Sequence, residues 1–137
     1  MIAVWFIQSP FNGITASKSW AIGLWQNGDG IGGGDTNLPG VVTFHEDRLC
    51  FTGTPSAPQR IDMSVVSDYE NFAPTDTDGA VANNNAVSIF LNATDVNFNE
   101  WLSSDDKGLI TGSTAAEWLV RPSSLGEALS PTNVAAK

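Results

Sequence analysis

The stretch Arg48-Leu49-Cys50-Phe51-Thr52-Gly53-Thr54 indicates the fold, because its pattern occurs twice in the sequence. It recurs in outline as Lys107-Gly108-Leu109-Ile110-Thr111-Gly112-Ser113, and an acidic residue precedes each copy. Each copy has the pattern of a short apolar strand that ends on a turn of Thr, Gly and a hydroxyl residue. Repeated strand–turn–strand units are typical of all-β arrays in which each unit buries its face against the next. We therefore predict an all-β fold of antiparallel meanders that resemble blades of a β-propeller.

The length and the turn residues agree with this prediction. A chain of 137 residues is long enough for one hydrophobic core, and nothing in its sequence indicates two independent domains. Thirteen Gly and seven Pro supply frequent turns, which favours strands over helices. We predict a single β domain over residues 1–137, with two blade-like units at roughly residues 1–75 and 76–137.

Apolar runs between the turn residues give the individual strands. They predict strands at residues 2–8, 19–25, 39–44, 48–52, 61–65, 86–91, 96–102, 109–111 and 118–121. Only three residues separate the third and fourth of these, which predicts a hairpin. Residues 54–58, with two prolines, predict a loop, and residues 67–72 predict one helical turn. Residues 114–120 could alternatively start a helix, and the tail from Pro122 is predicted to be a connection rather than part of the core.

Charge and cysteine content exclude several classes of function. The net charge is −9 with only six Lys and Arg, which argues against a protein that grips a phosphate backbone. It does not argue against surrounding DNA without holding it. Cys50 is the only cysteine, so an internal disulfide is impossible, and its apolar strand predicts a small buried side chain. No run approaches the ~18–20 apolar residues of a membrane span.

Two motifs resemble ligand-binding sites, but the residues around each motif do not fit the site that it resembles. The run at residues 28–33 matches the dinucleotide fingerprint by letter, but the Asn, Pro and Gly that follow cannot start the helix that this site needs. Asp76-Thr77-Asp78-Gly79 resembles the opening of a calcium loop, although Val87 occupies the position where the loop needs Glu. A looser calcium site at Asp76 and Asp78 stays open. We predict no catalytic, cofactor-binding or metal-ligating residue, and no cofactor.

Two further functions follow from single residue types. His45 is the only histidine, and a hydrolase could be built on it, but its place in a predicted hairpin turn favours a solvated side chain. Five tryptophans could form a carbohydrate-binding β module for host-surface recognition, although apolar neighbours favour core packing for each. These tryptophans are Trp5, Trp20, Trp25, Trp101 and Trp118. Asp47 is the predicted ion-pair partner of Arg48, and Asp62 is that of Arg60.

Several short segments match one known family in the same order along the chain. They are WAIGLW (residues 20–25), PGVVTF (39–44), DRLCFTGT (47–54), PQRIDMS (58–64), DYENF (68–72), NFNEWL (97–102), GLITG (108–112), EW (117–118) and LSPTNV (129–134). With these segments the chain resembles the tail nozzle proteins of short-tailed bacteriophages, also called tail tubular protein B. The resemblance covers roughly residues 20–137, and residues 48–72 are its most specific part. Glu46 and the Gly-rich run at residues 27–34 depart from the family pattern.

The resemblance implies a structural virion protein and not an enzyme. Family members are far longer, are built partly of a β-propeller, and form a ring of six that extends the channel through which DNA leaves the capsid. The implied partners are copies of the chain itself, tail adaptor and fibre proteins, and viral DNA that passes without specific binding. The implied location is the virion tail, with host cytoplasm during assembly and no membrane in the mature particle. The chain matches only about two blades, so we expect it to be part of a longer or multi-chain assembly.

Overall fold

The computed structural model describes residues 37–92, 97–124 and 126–137, and within these ranges it contains β-strands and no α-helix. The strands are β1 (Val41–His45), β2 (Arg48–Thr54), β3 (Ala57–Met63), β4 (Val87–Phe90), β5 (Asn99–Asp105), β6 (Gly108–Ser113), β7 (Glu117–Arg121) and β8 (Ala135–Ala136). The all-β prediction is confirmed. The strands predicted at residues 2–8 and 19–25 lie outside the described residues, as does the Gly-rich run at residues 27–34.

The strands form two four-stranded antiparallel sheets, and each sheet follows chain order. The first sheet is β1-β2-β3-β4 and the second is β5-β6-β7-β8. The two copies of the repeated stretch are β2 and β6, so each supplies the second strand of its sheet. The chain leaves the first sheet at β4, the edge opposite β1, and returns to β5, which packs against β1.

The predicted hairpin between β1 and β2 is confirmed, and its turn has an identifiable cause. His45 pairs with Arg48, so only Glu46 and Asp47 form the turn. Both have positive φ, at 45° and 58°, which is the type I′ geometry that matches the twist of two paired strands. Aspartate tolerates this left-handed conformation better than most residues that carry a side chain.

The core lies between the two sheets. In the first sheet, Cys50 lies opposite Met63, which lies opposite Val87, so the three share one face. In the second sheet, Leu109 lies opposite Val120. These buried side chains form one hydrophobic cluster, together with Ile61, Leu91 and Leu129. Burying one such side chain contributes about 1.5–3 kcal/mol, so the two sheets stabilise each other mainly through this layer.

The Gly of each repeat copy is required for a different local reason. Gly53 lies at an irregularity in the β2–β3 pairing and has φ 73°, and a Cβ there would come within 3.0 Å of the Asn99 carbonyl oxygen. A Cβ at Gly112 would overlap the indole of Trp101, which lies across it. Gly53 is therefore required by its positive φ and by its contact with Asn99, whereas Gly112 is required only by its contact with Trp101.

Several local predictions were wrong. Residues 114–120 do not start a helix, because β7 begins at Glu117, and residues 67–72 form turns next to a bridge between Val65 and Asp68. β3 begins at Ala57 and so includes Pro58, which the sequence predicts to lie in a loop. The tail after Pro122 is not only a connection, since it supplies β8 and the buried Leu129. No described residue belongs to a helix long and apolar enough to cross a membrane.

Candidate functional site

Arg48 is the most unusual buried residue of the structure. It opens β2 and is 1% exposed, yet none of the ion pairs among the described residues includes it. Its guanidinium instead donates hydrogen bonds to backbone carbonyls, at 2.6 Å to Ser64, 2.7 Å to Asn85 and 2.9 Å to Asn83, with a longer one of 3.4 Å to Leu129. The predicted partner Asp47 faces solvent and accepts hydrogen bonds from the hydroxyls of Ser67 and Tyr69.

The carbonyls that Arg48 contacts come from three separate parts of the chain. They follow β3, lie in the loop before β4, and lie in the segment before β8. Burial lowers the pKa of Arg48, and the nearby Glu46 carboxylate acts in the opposite direction. An arginine remains charged despite such a shift, so one cation connects three loops through their carbonyl oxygens.

Glu46 contacts the same C-terminal segment from the other side. Its carboxylate accepts a hydrogen bond of 2.7 Å from the backbone N–H of Leu129, while Arg48 donates to the carbonyl of that residue. The Leu129 side chain lies in the core between the sheets. The hairpin turn of the first sheet therefore positions a core residue that is far away in sequence.

His45 joins the two sheets and is not the solvated loop residue that the sequence predicts. It is the last residue of β1, it is buried, and its Nδ1 lies 2.9 Å from the Ser104 hydroxyl of β5. Its Nε2 has no hydrogen-bond partner within the described part of the chain and lies 4.0 Å from the Glu46 carboxylate. Burial lowers the pKa of His45, with the Glu46 charge as a weaker opposing influence, which favours the neutral ring.

A second polar contact between the sheets involves the repeated Thr-Gly turn. The Asn99 amide of β5 donates a hydrogen bond of 2.7 Å to the Thr52 hydroxyl, which itself donates to the Arg60 carbonyl at 2.7 Å. Both Thr52 and Asn99 are buried. We name the set His45, Glu46, Arg48, Thr52, Asn99, Ser104 and Leu129 the polar junction, because it connects β1 and β2 to β5 and the C-terminal segment.

The chemistry available at the polar junction is that of hydrogen bonds, some from the Arg48 guanidinium or to the Glu46 carboxylate and others between neutral side chains. A hydroxyl and an imidazole within 2.9 Å of each other resemble a nucleophile and its base. The Glu46 oxygen at 4.0 Å from the ring is beyond hydrogen-bond distance, so this carboxylate does not orient the imidazole in the way a catalytic triad requires. The arrangement fixes the two sheets relative to each other.

The remaining predicted site residues lie apart from the polar junction. Arg60 and Asp62 form the predicted ion pair at 2.9 Å. The carboxylates of Asp76 and Asp78 accept hydrogen bonds inside their own loop, from the Asn85 amide at 2.8 Å and from the backbone N–H of Ala80 at 3.0 Å. Within the three described ranges, no three His, Cys, Asp or Glu side chains come together as metal ligands.

Two open clefts with mixed polar and apolar linings border the polar junction. The larger has a volume of about 600 Å³ and lies between Glu46, Arg48 and the segment that contains Glu127 and Asn133. The smaller, of about 390 Å³, lies between the two hairpin turns and is lined by Glu46, Asp106 and Lys107. Sequence reasoning missed Asn99, Ser104, Leu129 and the carbonyls around Arg48 as parts of the site, since none of them leaves a motif in the sequence. Comparison with known proteins found no matching family model and no matching curated protein.

The shifted pKa of His45 predicts how stability depends on pH. In the unfolded chain His45 has the usual pKa of about 6.5, and burial lowers it in the folded chain. Above about pH 6.5 both states are neutral. As the pH falls below that value, the unfolded chain binds a proton that the folded chain does not, so the free energy of unfolding decreases until the folded pKa is reached. Urea denaturation between pH 7.5 and 5 should show a larger decrease for the wild type than for a His45→Gln variant. Equal decreases would contradict the assignment.

Cys50 provides an independent check of burial at the sheet interface. Burial raises the pKa of its thiol to about 12, and the side chain is fully buried. We expect no reaction with iodoacetamide at pH 8 in the folded chain, because the thiolate is the reactive form. Mass spectrometry should show rapid alkylation in 8 M urea as the control. Alkylation of the folded chain at the urea rate would contradict the packing of β2.

Proposed function

We propose that the chain is a structural protein of a phage tail nozzle, and that its two sheets are neighbouring blades of a β-propeller. The observation that carries the proposal is the topology. Each sheet is a four-stranded antiparallel meander, and the first strands of the two sheets, β1 and β5, contact each other. Adjacent blades have this relation, because their inner strands come closest near the propeller axis. The ordered segments shared with the tail nozzle family supply the function.

In this proposal the two sheets form part of a larger closed array. Propellers have about 4–8 blades, so two sheets need further blades from more chain or from other copies. The family resemblance supports a ring of six copies around the tail axis, in contact with adaptor and fibre proteins. The protein would then be part of the virion tail and would be assembled in the host cytoplasm.

The mechanism that we propose for such a conduit is electrostatic and mechanical, without bond making or breaking. The hairpin turns of both sheets carry exposed acids. Glu46 and Asp47 form the turn between β1 and β2, and Asp105 and Asp106 lie at the turn between β5 and β6. Glu46 of one turn and Asp106 of the other line one cleft with Glu127, and the cations Lys107 and Arg121 line it too, so three acids and two cations lie there. A wall of like charge repels DNA phosphates and keeps a passing duplex from adhering.

Cryo-electron microscopy of the source particle tests the proposal. The expected result is density for the chain in a ring around the tail axis, between the adaptor and the tail tip. Density on a fibre or in the head would defeat the proposal. The second sheet can be recognised in such a map by the Trp101 indole over Gly112.

The charge distribution also predicts a simple binding result. Fluorescence anisotropy with a labelled 20-base-pair duplex should show no binding at 10 µM protein in 50 mM salt, since low salt strengthens any contact with phosphates. A variant in which Glu46, Asp47, Asp105 and Asp106 are all changed to Lys should bind the same duplex in a salt-dependent manner. Salt-dependent binding by the wild type would contradict a repelling wall.

A carbohydrate-binding module is the second candidate, and one observation favours it. Trp101 lies on the outward face of the second sheet and is 40% exposed over Gly112, as a flat aromatic surface suitable for stacking on a sugar ring. Trp118 is packed against the core and serves as the matched control. Glycan-array binding that is lost in Trp101→Ala, while the variant keeps its fold, would support this candidate over the nozzle. Absence of binding to every glycan on the array would exclude a carbohydrate-binding function.

A further inference from the structure

The outer face of the first sheet, which points away from the second sheet, carries exposed apolar side chains. Val42 and Phe44 alternate along β1 with Thr43, which lies opposite the core residue Cys50, so both point away from the core. Val42 is 56% exposed and Phe44 is 57% exposed. Phe90 of β4 is on the same face and is 65% exposed. Exposed apolar surface of this kind is typical of a protein contact site.

The outer face of the second sheet, which points away from the first sheet, has an apolar centre as well. Leu109 of β6 belongs to the core, so the next residue, Ile110, points outwards, and Leu119 of β7 lies opposite it. Both are half-buried and line an open cleft of about 260 Å³. Trp101 lies over Gly112 on this face and is 40% exposed. Each sheet of the chain therefore presents an apolar outer face.

The outer face of the first sheet is the counterpart of the face with which the second sheet contacts it. Each sheet begins with a hairpin whose turn has two residues, at 46–47 and at 106–107. Counted from these turns, Leu49 corresponds to Leu109. Leu109 lies in the layer between the sheets, whereas Leu49 lies opposite Phe44 on the outer face. The contact face of one sheet is thus the outer face of the other.

The same count gives the converse for the next residue of each strand. Cys50 of the first sheet faces the second sheet, and its counterpart Ile110 lies on the outer face of the second sheet. The two outer faces therefore correspond to the two faces that already pack together within the chain. A contact between them would repeat a relation between sheets that the fold already uses.

We propose that the outer face of the first sheet packs against the outer face of the second sheet of another copy of the chain, head to tail. Such a contact joins two different surfaces, so a pair of copies still has one outer face of each kind. Further copies can add until a ring closes. The inference rests on the blade arrangement proposed above, to which it adds the partner and the pair of surfaces.

The charges around the first outer face disfavour contact between two copies of that face. Tyr69 contacts Phe44 edge-on, with 5.1 Å between ring centroids, and its hydroxyl donates a hydrogen bond to the Asp47 carboxylate. Asp68 and Glu70 are next to Tyr69 in sequence, and all three acids are exposed. The rim of this face is therefore acidic, and two such rims would repel each other.

The second outer face offers cations to that acidic rim. Lys107 and Lys137 line its cleft together with Asp105 and Glu117. Both lysines are exposed, and neither forms an ion pair among the residues that the structure describes. Opposite charges across a contact fix the partner and its orientation. Charge therefore favours the head-to-tail contact over contact between two first faces.

Complementation between two variants of the full chain tests this pairing of faces. Val42→Glu places a carboxylate in the first outer face, and Leu119→Glu places one in the second. Sedimentation velocity should show concentration-dependent assemblies larger than a dimer for the wild type and only monomer for each variant alone, since burying an unpaired carboxylate is unfavourable. An equal mixture of the variants should form a 1:1 dimer and nothing larger, because it has one intact pair of faces.

Val81→Glu is the matched control for these variants. Val81 is 54% exposed and lies in the loop before β4, outside both sheets, so this variant should assemble like the wild type. A double variant, Lys107→Glu with Lys137→Glu, changes only exposed side chains and should weaken assembly by about tenfold or more at low salt. Circular dichroism verifies the fold of each variant, and the double variant replaces Leu119→Glu in the mixture if that variant does not fold.

Three results would overturn the proposal. Dimers of Leu119→Glu alone would mean that two first faces meet, and dimers of Val42→Glu alone would mean that two second faces meet. A wild type that stays monomeric at every concentration would mean that the rest of the chain or a different protein covers these faces. The nozzle function fails separately: density for the chain on a fibre would defeat it and leave the head-to-tail contact intact.

Discussion

The Arg48→Met variant is expected to lose about 3–5 kcal/mol of folding free energy, because several hydrogen bonds from a charged donor, each worth about 1.5–3 kcal/mol, are removed together. Methionine keeps most of the volume and none of the donors. The carbonyls of Ser64 and Asn85 would lose a buried hydrogen bond and that of Asn83 a half-buried one, and each carbonyl left unpaired in the interior costs about 1–3 kcal/mol. Relaxation of the loops and entry of water from the neighbouring cleft keep the total below the sum. Urea denaturation followed by tryptophan fluorescence measures the loss.

Arg121→Met is the matched control for this prediction. Arg121 is half-buried at the end of β7, and its side chain makes no hydrogen bond or ion pair among the described residues. Its replacement should change the free energy of unfolding by less than about 0.5 kcal/mol. If Arg48→Met is no more destabilising than Arg121→Met, Arg48 does not connect the three loops. An intermediate variant, Arg48→Lys, should recover part of the loss, since it keeps the charge and fewer donors.

The parts of the fold that the sequence predicts are those set by neighbouring residues. The hairpin at residues 46–47 follows from two apolar runs separated by a turn that contains Asp, and the structure places it there. The equivalence of the two repeat copies follows from their shared pattern, and both are second strands of their sheets. These features depend only on the alternation of apolar and polar residues, on the residue types at the turns and on strand length, which are local properties of the chain.

The wrong local predictions arise where tertiary contacts override local preference. Pro58 lies within β3 because the β4 pairing reaches only residues 60–63, so its missing N–H removes no bond to β4. Residues 114–120 have helix-forming side chains, but pairing of β7 with β6 on one side and β8 on the other selects a strand. The tail after Pro122 has few large apolar residues, and the contacts of Leu129 with Glu46 and Arg48 determine its burial.

The polar junction could not be predicted, for a related reason. Arg48 bonds to carbonyl groups, which every residue has, so no pattern of side chains marks its partners. His45 and Ser104 belong to different sheets, and nothing in the sequence fixes how the sheets are placed relative to each other. The Arg60–Asp62 pair was predictable because residues two apart in a strand lie on the same face. Contacts within a strand can be read from sequence, and contacts between sheets require the structure.

The Leu109→Ala variant tests the layer between the sheets, and it is expected to lose about 2–5 kcal/mol, the usual range for a fully buried leucine that leaves a cavity. Leu109 is fully buried and belongs to the cluster shared by both sheets. Ile110, the next residue of β6, points to the opposite face and is half-buried, so Ile110→Ala should cost less than about 1.5 kcal/mol in the isolated chain.

The pair of variants also separates the isolated chain from an assembly of blades. If another blade covers the outward face of the second sheet, Ile110→Ala should cost more in the assembled ring than in the isolated chain, while the cost of Leu109→Ala should stay the same. Urea denaturation of the isolated chain and thermal disassembly of the particle measure the two quantities. Equal costs for Leu109→Ala and Ile110→Ala in the isolated chain would mean that the sheets do not pack through the Leu109 face. The two-sheet core on which the blade proposal depends would then be wrong.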